Sequence, residues 1–481
     1  MSDHRNLFKH SRNYLFANLA TKALSFVSIP VYTRLLTVEE YGVVGVFTSV
    51  VGIATVLFSL NAEVAVGRYF YDAENRDDFK RFVGTTLFLC FLIFCLTSSL
   101  FVFLIPRISE SLSFTCKFTF FLLPLSFYQI VYSIFEQIYN PLLESKKIAI
   151  VSSVQAYLGF VIIALCMFML HEERYYGYAY GSIITMFVMI VYLYRQIRPY
   201  CKFAFKRSHV KYILNYCLPY IPYSLSSVIL IQFSRVIMGN SQGYSLTGAY
   251  TLTTNTAALM MMVIGITHSA WNPYFFRYMN NKDTASIDSD YNLIWRITLL
   301  ITLGIASYGY EIALVLSKGG EYLKTMYILP LLVLGYVFYQ WAYVYLRNTA
   351  YAKRTIWMAL SVFASGISNV VFNAWLIPLY GEVGAAMATV SSFFILMLVG
   401  LLVNHYIIKE YAPRLSLFLG PFVLLLPFLV ASFILQRADM SFLICFVLKM
   451  LLLVLLSLIL FWKYKEKIKV LLTTHISFIK H

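Results

Sequence analysis

The sequence predicts an all-α, polytopic membrane protein, and three observations carry that reading. Sixty per cent of the 481 residues are hydrophobic and 12% are charged. A soluble globular chain carries about 25% charged residues and has no means of hiding so much apolar surface. Apolar segments of about 20 residues, the length that crosses a bilayer as a helix, recur from residue 13 to residue 462. The joints between them are short and polar, and the alternating segments of about ten residues that mark a membrane β-barrel are absent.

Taken in order, the spans fall at 13–36, 41–66, 82–105, 116–140, 148–170, 175–196, 212–238, 246–270, 291–316, 323–346, 355–377, 382–408, 415–435 and 441–462. The first follows a short basic tail, "MSDHRNLFKHSR", and is too long and too polar for a signal-peptide core, so it is expected to stay attached. In the turn after it, "PVYTRLLTVEEYG", Thr37 and Glu40 have the spacing of a capping box, which would start the second span. Pro30 is expected to bend the first span about one turn before Arg34. The longest joints, near 197–211 and 276–290, hold only about 15 residues and leave no room for an extramembrane domain.

Most of the 38 Lys and Arg fall on alternate joints. Cytoplasmic loops hold the positive excess, so both termini are expected to be cytoplasmic and the span count even. The net charge of +16 then reflects topology and contact with anionic membrane lipids, not binding to nucleic acid. The seven cysteines are scattered through apolar context and form neither a disulfide framework nor a metal-ligand spacing. No cofactor or metal is expected.

The chain also repeats itself. "SKKIAIVSSVQAYLGFVIIAL" (145–165) matches "AKRTIWMALSVFASGISNVVF" (352–372), and "YYGYAYGSIIT" (175–185) matches "LYGEVGAAMAT" (379–389). Gly177 pairs with Gly381 and Thr185 with Thr389 at one constant offset, and Arg34 pairs with Arg235 at nearly the same offset. The expected organisation is a six-helix unit at 1–200, a second copy running in the same direction at 201–410, and two extra helices with a basic tail at 411–481. Transporters commonly place the substrate path between such halves. The small residues of "YGSIIT" and "GAAMAT" are first of all close-packing positions for neighbouring helices.

Several motifs resemble one family. The first span ends in Ile-Pro-x-x-x-Arg-Leu-Leu, followed by Thr-x-Glu-Glu-Tyr-Gly; the second closes with "NAEVAVGRYFYD"; later comes "NVVFNAWLIPLYGEVGAAMATVSS". These are similar to the polysaccharide exporters, the Wzx-type flippases, of the multidrug/oligosaccharidyl-lipid/polysaccharide superfamily. The likeness covers residues 10 to about 408 and reaches the last two spans only through topology. It implies two six-helix lobes around a V-shaped cavity of alternating access. It also implies translocation of undecaprenyl diphosphate-linked oligosaccharide, of O-antigen or capsule type, from the cytoplasmic to the outer leaflet of the inner membrane. Cation coupling, a monomer, and work beside a polysaccharide polymerase and a chain-length regulator are further expectations.

Charges inside a membrane are costly, so each one raises a functional question. Lys22, about nine residues into the first span, is the leading candidate for the diphosphate; otherwise it pairs with a neighbouring helix. Arg34 and Arg235 either set two guanidiniums at the outer rim of the cavity or snorkel and cap their own helices. Arg68, Arg277 and His268, at the cytoplasmic ends of the second and eighth spans, would receive the diphosphate on entry or serve as topological anchors. Glu63, Glu136 and Glu311 are candidate coupling acids or partners for cations on other helices. Lys449 is expected to pair locally. Many of the 38 tyrosines, such as Tyr175, Tyr176, Tyr178 and Tyr180, suit the interfacial belt or sugar stacking. Gln232, Asn255, Gln340, Asn369 and Asn373 suit interhelical hydrogen bonds or sugar hydroxyls.

Among other classes, a membrane glycan polymerase or ligase would need a substantial loop or a cluster of catalytic groups at one face, and neither is present. No phosphate-binding Gly-Lys-Ser loop or Gly-x-Ser-x-Gly elbow occurs, so an enzyme is not expected. A drug or small-molecule antiporter of the same superfamily is the nearer alternative. Basic charge in the first and seventh spans favours an anionic substrate over a cationic drug.

Overall fold

The computed structural model describes residues 24–462, apart from 25, 204, 410, 412 and 438–440. Among the described residues it is helical, with no strand, and twelve helices are long and apolar enough to cross a membrane. The run Thr355–Val403 is two spans meeting at Gly381, whose φ of 55° and ψ of −129° break the helix. The first helix is described only from residue 26 onward, which brings the spans to 14.

We number them α1 (26–35), α2 (Val38–Ser59), α3 (Arg76–Ser111), α4 (Cys116–Tyr139), α5 (Ser145–Met169), α6 (Tyr175–Ile197) and α7 (Arg207–Gln242). There follow α8 (Tyr244–Asn280), α9 (Thr284–Leu316), α10 (Leu329–Tyr351), α11 (355–380), α12 (382–403), α13 (Leu415–Arg437) and α14 (Phe442–Phe461).

Local chemistry sets several helix starts. The capping box of α2 is formed: Glu40 N–H donates to Thr37 Oγ1 at 3.2 Å and Thr37 N–H to Glu40 Oε2 at 2.9 Å. Asn75 caps α3 through Asp78 N–H at 2.8 Å, and Asp283 caps α9 through Ser286 N–H at 3.1 Å. Helix α2 ends in a break rather than running on: Leu60 and Asn61 both take left-handed φ, 48° and 55°, before the short helix Val64–Tyr69.

The two ends of the bundle differ. At the face holding the α1–α2 turn the helices are tightly joined. A Cβ on Gly42 would lie 2.0 Å from Tyr244 O, and one on Gly248 would lie 1.9 Å from Val38 O. Only glycine lets α2 and α8 meet this closely. The turn itself is tied to its surroundings. Arg174 N–H donates to Glu40 Oε1 at 2.6 Å, Arg174 Nη1 to Leu35 O at 2.9 Å, Thr33 Oγ1 to Leu316 O at 3.0 Å, and Tyr322 OH to Leu36 O at 3.0 Å. The other face carries the basic joints and leaves a hollow between the helices.

Small residues also close the helix hairpins. Gly177 and Gly181 face the backbone of Met167 and Ile163, while Gly384 faces Leu376 O. Asn369 Nδ2 donates across the α11–α12 hairpin to Ser392 Oγ at 3.2 Å. Gly177 and Gly381, paired in sequence, therefore do different work: one permits contact and the other permits a turn. Helices α13 and α14 pack on α9 through Trp295 Nε1, which donates to Phe418 O at 2.9 Å, and through the Lys449–Glu311 ion pair at 2.5 Å. Large apolar side chains such as Phe103, Phe168 and Val315 stay exposed around the bundle, as a lipid-facing surface requires.

Candidate functional site

Two hollows of about 790 and 420 Å³ lie in the middle of the bundle and share Ser28, Tyr32, Thr48 and Tyr178 in their walls. The larger is framed by α1, α2, α4, α5 and α6, the smaller by α1, α2, α6, α7 and α8. Their walls mix aromatic rings with amides and hydroxyls, an arrangement suited to a ligand that is partly apolar and rich in hydrogen-bonding groups. Tyr128 OH and Gln155 Oε1, both in the larger hollow, are buried without a partner.

Among the lining residues the charged ones are Arg235 and Glu136. Arg235 stands on α7, and its Nη2 donates to Thr254 Oγ1 and Asn255 Oδ1, both at 2.9 Å on α8. Asn255 Nδ2 in turn donates to Tyr41 OH at 3.0 Å on α2. These partners are neutral and Arg235 Nε has none, so the guanidinium is oriented without being neutralised. Its positive charge remains available to the hollow. Nearby, Ser49 Oγ donates to Gln232 Oε1 at 2.9 Å, fixing α2 against α7. Glu136 lies in the wall of the larger hollow, toward the basic face.

The other sequence candidates scatter. Lys22 lies outside the described residues. Arg34 is exposed and donates from Nη1 to Pro30 O of its own helix at 2.9 Å, so it caps α1 while its repeat mate Arg235 enters the cavity. The two do not share a rim. Arg68 is exposed and pairs with Asp72 at 3.2 Å, and Arg277 lies exposed over the rings of Tyr274 and Tyr278. His268 is buried, its Nδ1 against Arg347 and its ring stacked on Tyr343 at 3.9 Å. Glu63 is buried at the α2 break with Oε2 unpartnered. Glu311 is taken up by Lys449.

Of the amides, Asn369 and Asn373 bond each other at 2.8 Å inside the α11–α12 hairpin. Tyr178 lines both hollows, whereas Tyr176 meets Thr115 at the opposite face from the basic joints. Tyr32, Gln129 and Gln155 of the larger hollow were not singled out by sequence, because a polar residue on an apolar span carries no sign of which side it faces. Arg174 was missed for another reason: a basic residue in a short joint reads as an anchor.

The spans thus enclose a largely apolar cavity that carries scattered hydroxyls, amides and two charges. A family model described as "Polysaccharide biosynthesis protein" matches residues 9–279, more than half of the chain. The chain belongs to that family. "Lsg locus putative protein 1" of Haemophilus influenzae (strain ATCC 51907 / DSM 11121 / KW20 / Rd) is 24% identical over 298 residues, covering 57% of this chain and 67% of that protein.

Among solved structures, the lipid II flippase MurJ in an inward closed conformation superposes with a TM-score of 0.67 at 18% identity, over 95% of this chain and 99% of that one. An inward-facing multidrug resistance MATE family transporter of the MOP superfamily superposes with a TM-score of 0.65 at 15% identity, over 82% and 98%. The chain thus shares its fold with both.

Proposed function

We propose that the protein is a flippase for an undecaprenyl diphosphate-linked oligosaccharide repeat unit of O-antigen or capsule type, moving it from the cytoplasmic to the outer leaflet of the inner membrane. In this reading the basic face is cytoplasmic, both termini lie there, and the face closed by Gly42 and Gly248 is the outer one. The observation that carries the proposal is Arg235, a cation oriented by neutral partners in the wall of a largely apolar cavity that also presents Tyr32, Tyr41 and Tyr178. A guanidinium so held offers a phosphate its positive charge, while the tyrosines and the amides of the larger hollow suit sugar rings and hydroxyls. A cationic drug would be repelled at that position.

We propose further that transport is coupled to a cation and that Glu136 carries it, since it is the acid that lines the cavity, whereas Glu311 is occupied by Lys449. The same Glu136 is what a drug antiporter would use, so the two readings divide on which charge the substrate meets. Replacement of Arg235 by Gln should abolish surface polysaccharide with protein level unchanged, and Arg235→Lys should restore part of it. Mass spectrometry of a deletion strain should show a lipid-linked glycan accumulating. Normal polysaccharide in Arg235→Gln, together with loss of drug efflux in Glu136→Gln, would transfer the assignment to an antiporter.

A further inference from the structure

A second cation lies buried outside the central cavity. Arg347 stands about one turn from the basic-face end of α10 and is 5% exposed. Around it are His268 (5% exposed) and Trp271 (6%) from α8 and Tyr291 (2%) from α9. The rings form one cluster: Trp271 and Tyr291 are 5.7 Å apart between centroids, and the Arg347 guanidinium lies 5.6 Å from the Phe275 ring and 5.4 Å from the Tyr343 ring. None of these residues lines either hollow.

The cluster is rich in donors, and among the described residues no acid pairs with its cation. Arg347 Nε and Nη1, His268 Nε2, Trp271 Nε1 and Tyr291 OH are all buried; Tyr291 stands beside Trp271 and Arg347, and His268 beside Gln340. His268 Nδ1 lies against the Arg347 guanidinium, which has only donors to offer it. Arginine does not escape such a position by losing its proton, and a buried charge without a counter-ion is destabilising. The facing rings offset only part of that through cation–π contact.

We propose that Arg347, His268, Trp271 and Tyr291 form an anion site that takes a phosphate group presented from the basic face, distinct from the Arg235 position. A tetrahedral oxyanion accepts several hydrogen bonds from different directions, as donors on three helices require, and the guanidinium fork engages two of its oxygens. By joining α8, α9 and α10, the bound phosphate would tighten this end of the bundle. The site does not depend on which substrate the cavity carries.

The test uses the purified full chain in phosphatidylcholine nanodiscs. One arm titrates inorganic pyrophosphate by calorimetry; the other adds phosphatidic acid to the discs and measures its retention by native mass spectrometry. Binding in the first arm alone assigns a soluble phosphate, in the second alone a lipid headgroup, and either supports the site. Arg347→Gln should weaken binding at least tenfold, and Arg347→Lys less. If Arg347→Gln does not accumulate, Trp271→Phe is read instead and should weaken binding about threefold. Binding unaffected by the cluster variants, loss only in Arg235→Gln, or no binding in either arm overturns the site. Polysaccharide export, measured separately, reports on the flippase reading and not on this one.

Discussion

At the scale of single residues, the membrane-buried charges separate by what answers them. Lys449 and Glu311 answer each other, and their burial is unequal: 2% exposed for the Lys449 side chain and 20% for Glu311. Removing one partner of a buried pair costs about 3 kcal/mol. The inequality gives that cost a direction. Glu311→Gln strands an ammonium with no water, whereas Lys449→Met leaves a carboxylate that reaches water or takes up a proton. Thermal unfolding in detergent should therefore show Glu311→Gln as the more destabilised variant, and the double variant Glu311→Leu/Lys449→Met as recovering most of the loss. Export by that double variant would remove Glu311 from coupling. Local pairing of Lys449 was legible in the sequence because a lone lysine in an appended span has few other uses. Arg34 and Arg235 were not separable there: the same residue type at repeat-related positions ends in water in one copy and in a cavity in the other. Helix rotation decides that, and it is set by long-range packing.

At the scale of elements, caps and turns followed from short-range chemistry, and the break in α2 did not. Thr37 and Glu40 specify their hydrogen bonds within one turn of chain, so spacing alone revealed them. Leu60 and Asn61 adopt left-handed backbone although nothing in their identities demands it. Asparagine tolerates that region and a β-branched residue does not, so Asn61→Val should be less stable than Asn61→Gly by about 1–2 kcal/mol in thermal unfolding. The α2–α8 crossing yields a sharper prediction. In Gly248→Val the new Cβ collides with the Val38 carbonyl and the closed face is forced apart. A cysteine at Thr48, in a background with the seven native cysteines replaced, should then react with a membrane-impermeant thiol reagent from the α1–α2 side. The same cysteine with Gly248 intact should stay protected.

At the scale of the whole molecule, apolar side chains gather into separate cores. One is centred on Phe82, Phe135 and Tyr139 and takes in Ile213 of α7, and another is centred on Phe275, Trp295, Trp341 and Phe418 and takes in Tyr41 and Ile163 of the first half. We propose that these mark the two lobes, 1–200 and 201–410, with 411–481 appended. If so, cleavage at a protease site placed in the joint between α6 and α7 should leave both fragments co-purifying, because α2 meets α7 and α8 through buried contacts that do not need the joint. Separation of the fragments would show that the joint, and not those contacts, holds the two halves together. The span number was legible because hydrophobic length is a one-dimensional signal. The position of the cavity was not, since it depends on which faces turn inward. The meeting of Gly42 with Gly248 has a consequence beyond gating. Each glycine is the fifth residue of its helix, and we propose that they hold like positions in two repeated halves, each the surface against which the other rests. A duplicated gene normally lets one copy wander while the other keeps the original role. Here a change in either copy strikes the same joint, so this pair is barred from drifting apart even as the sequences around it diverge.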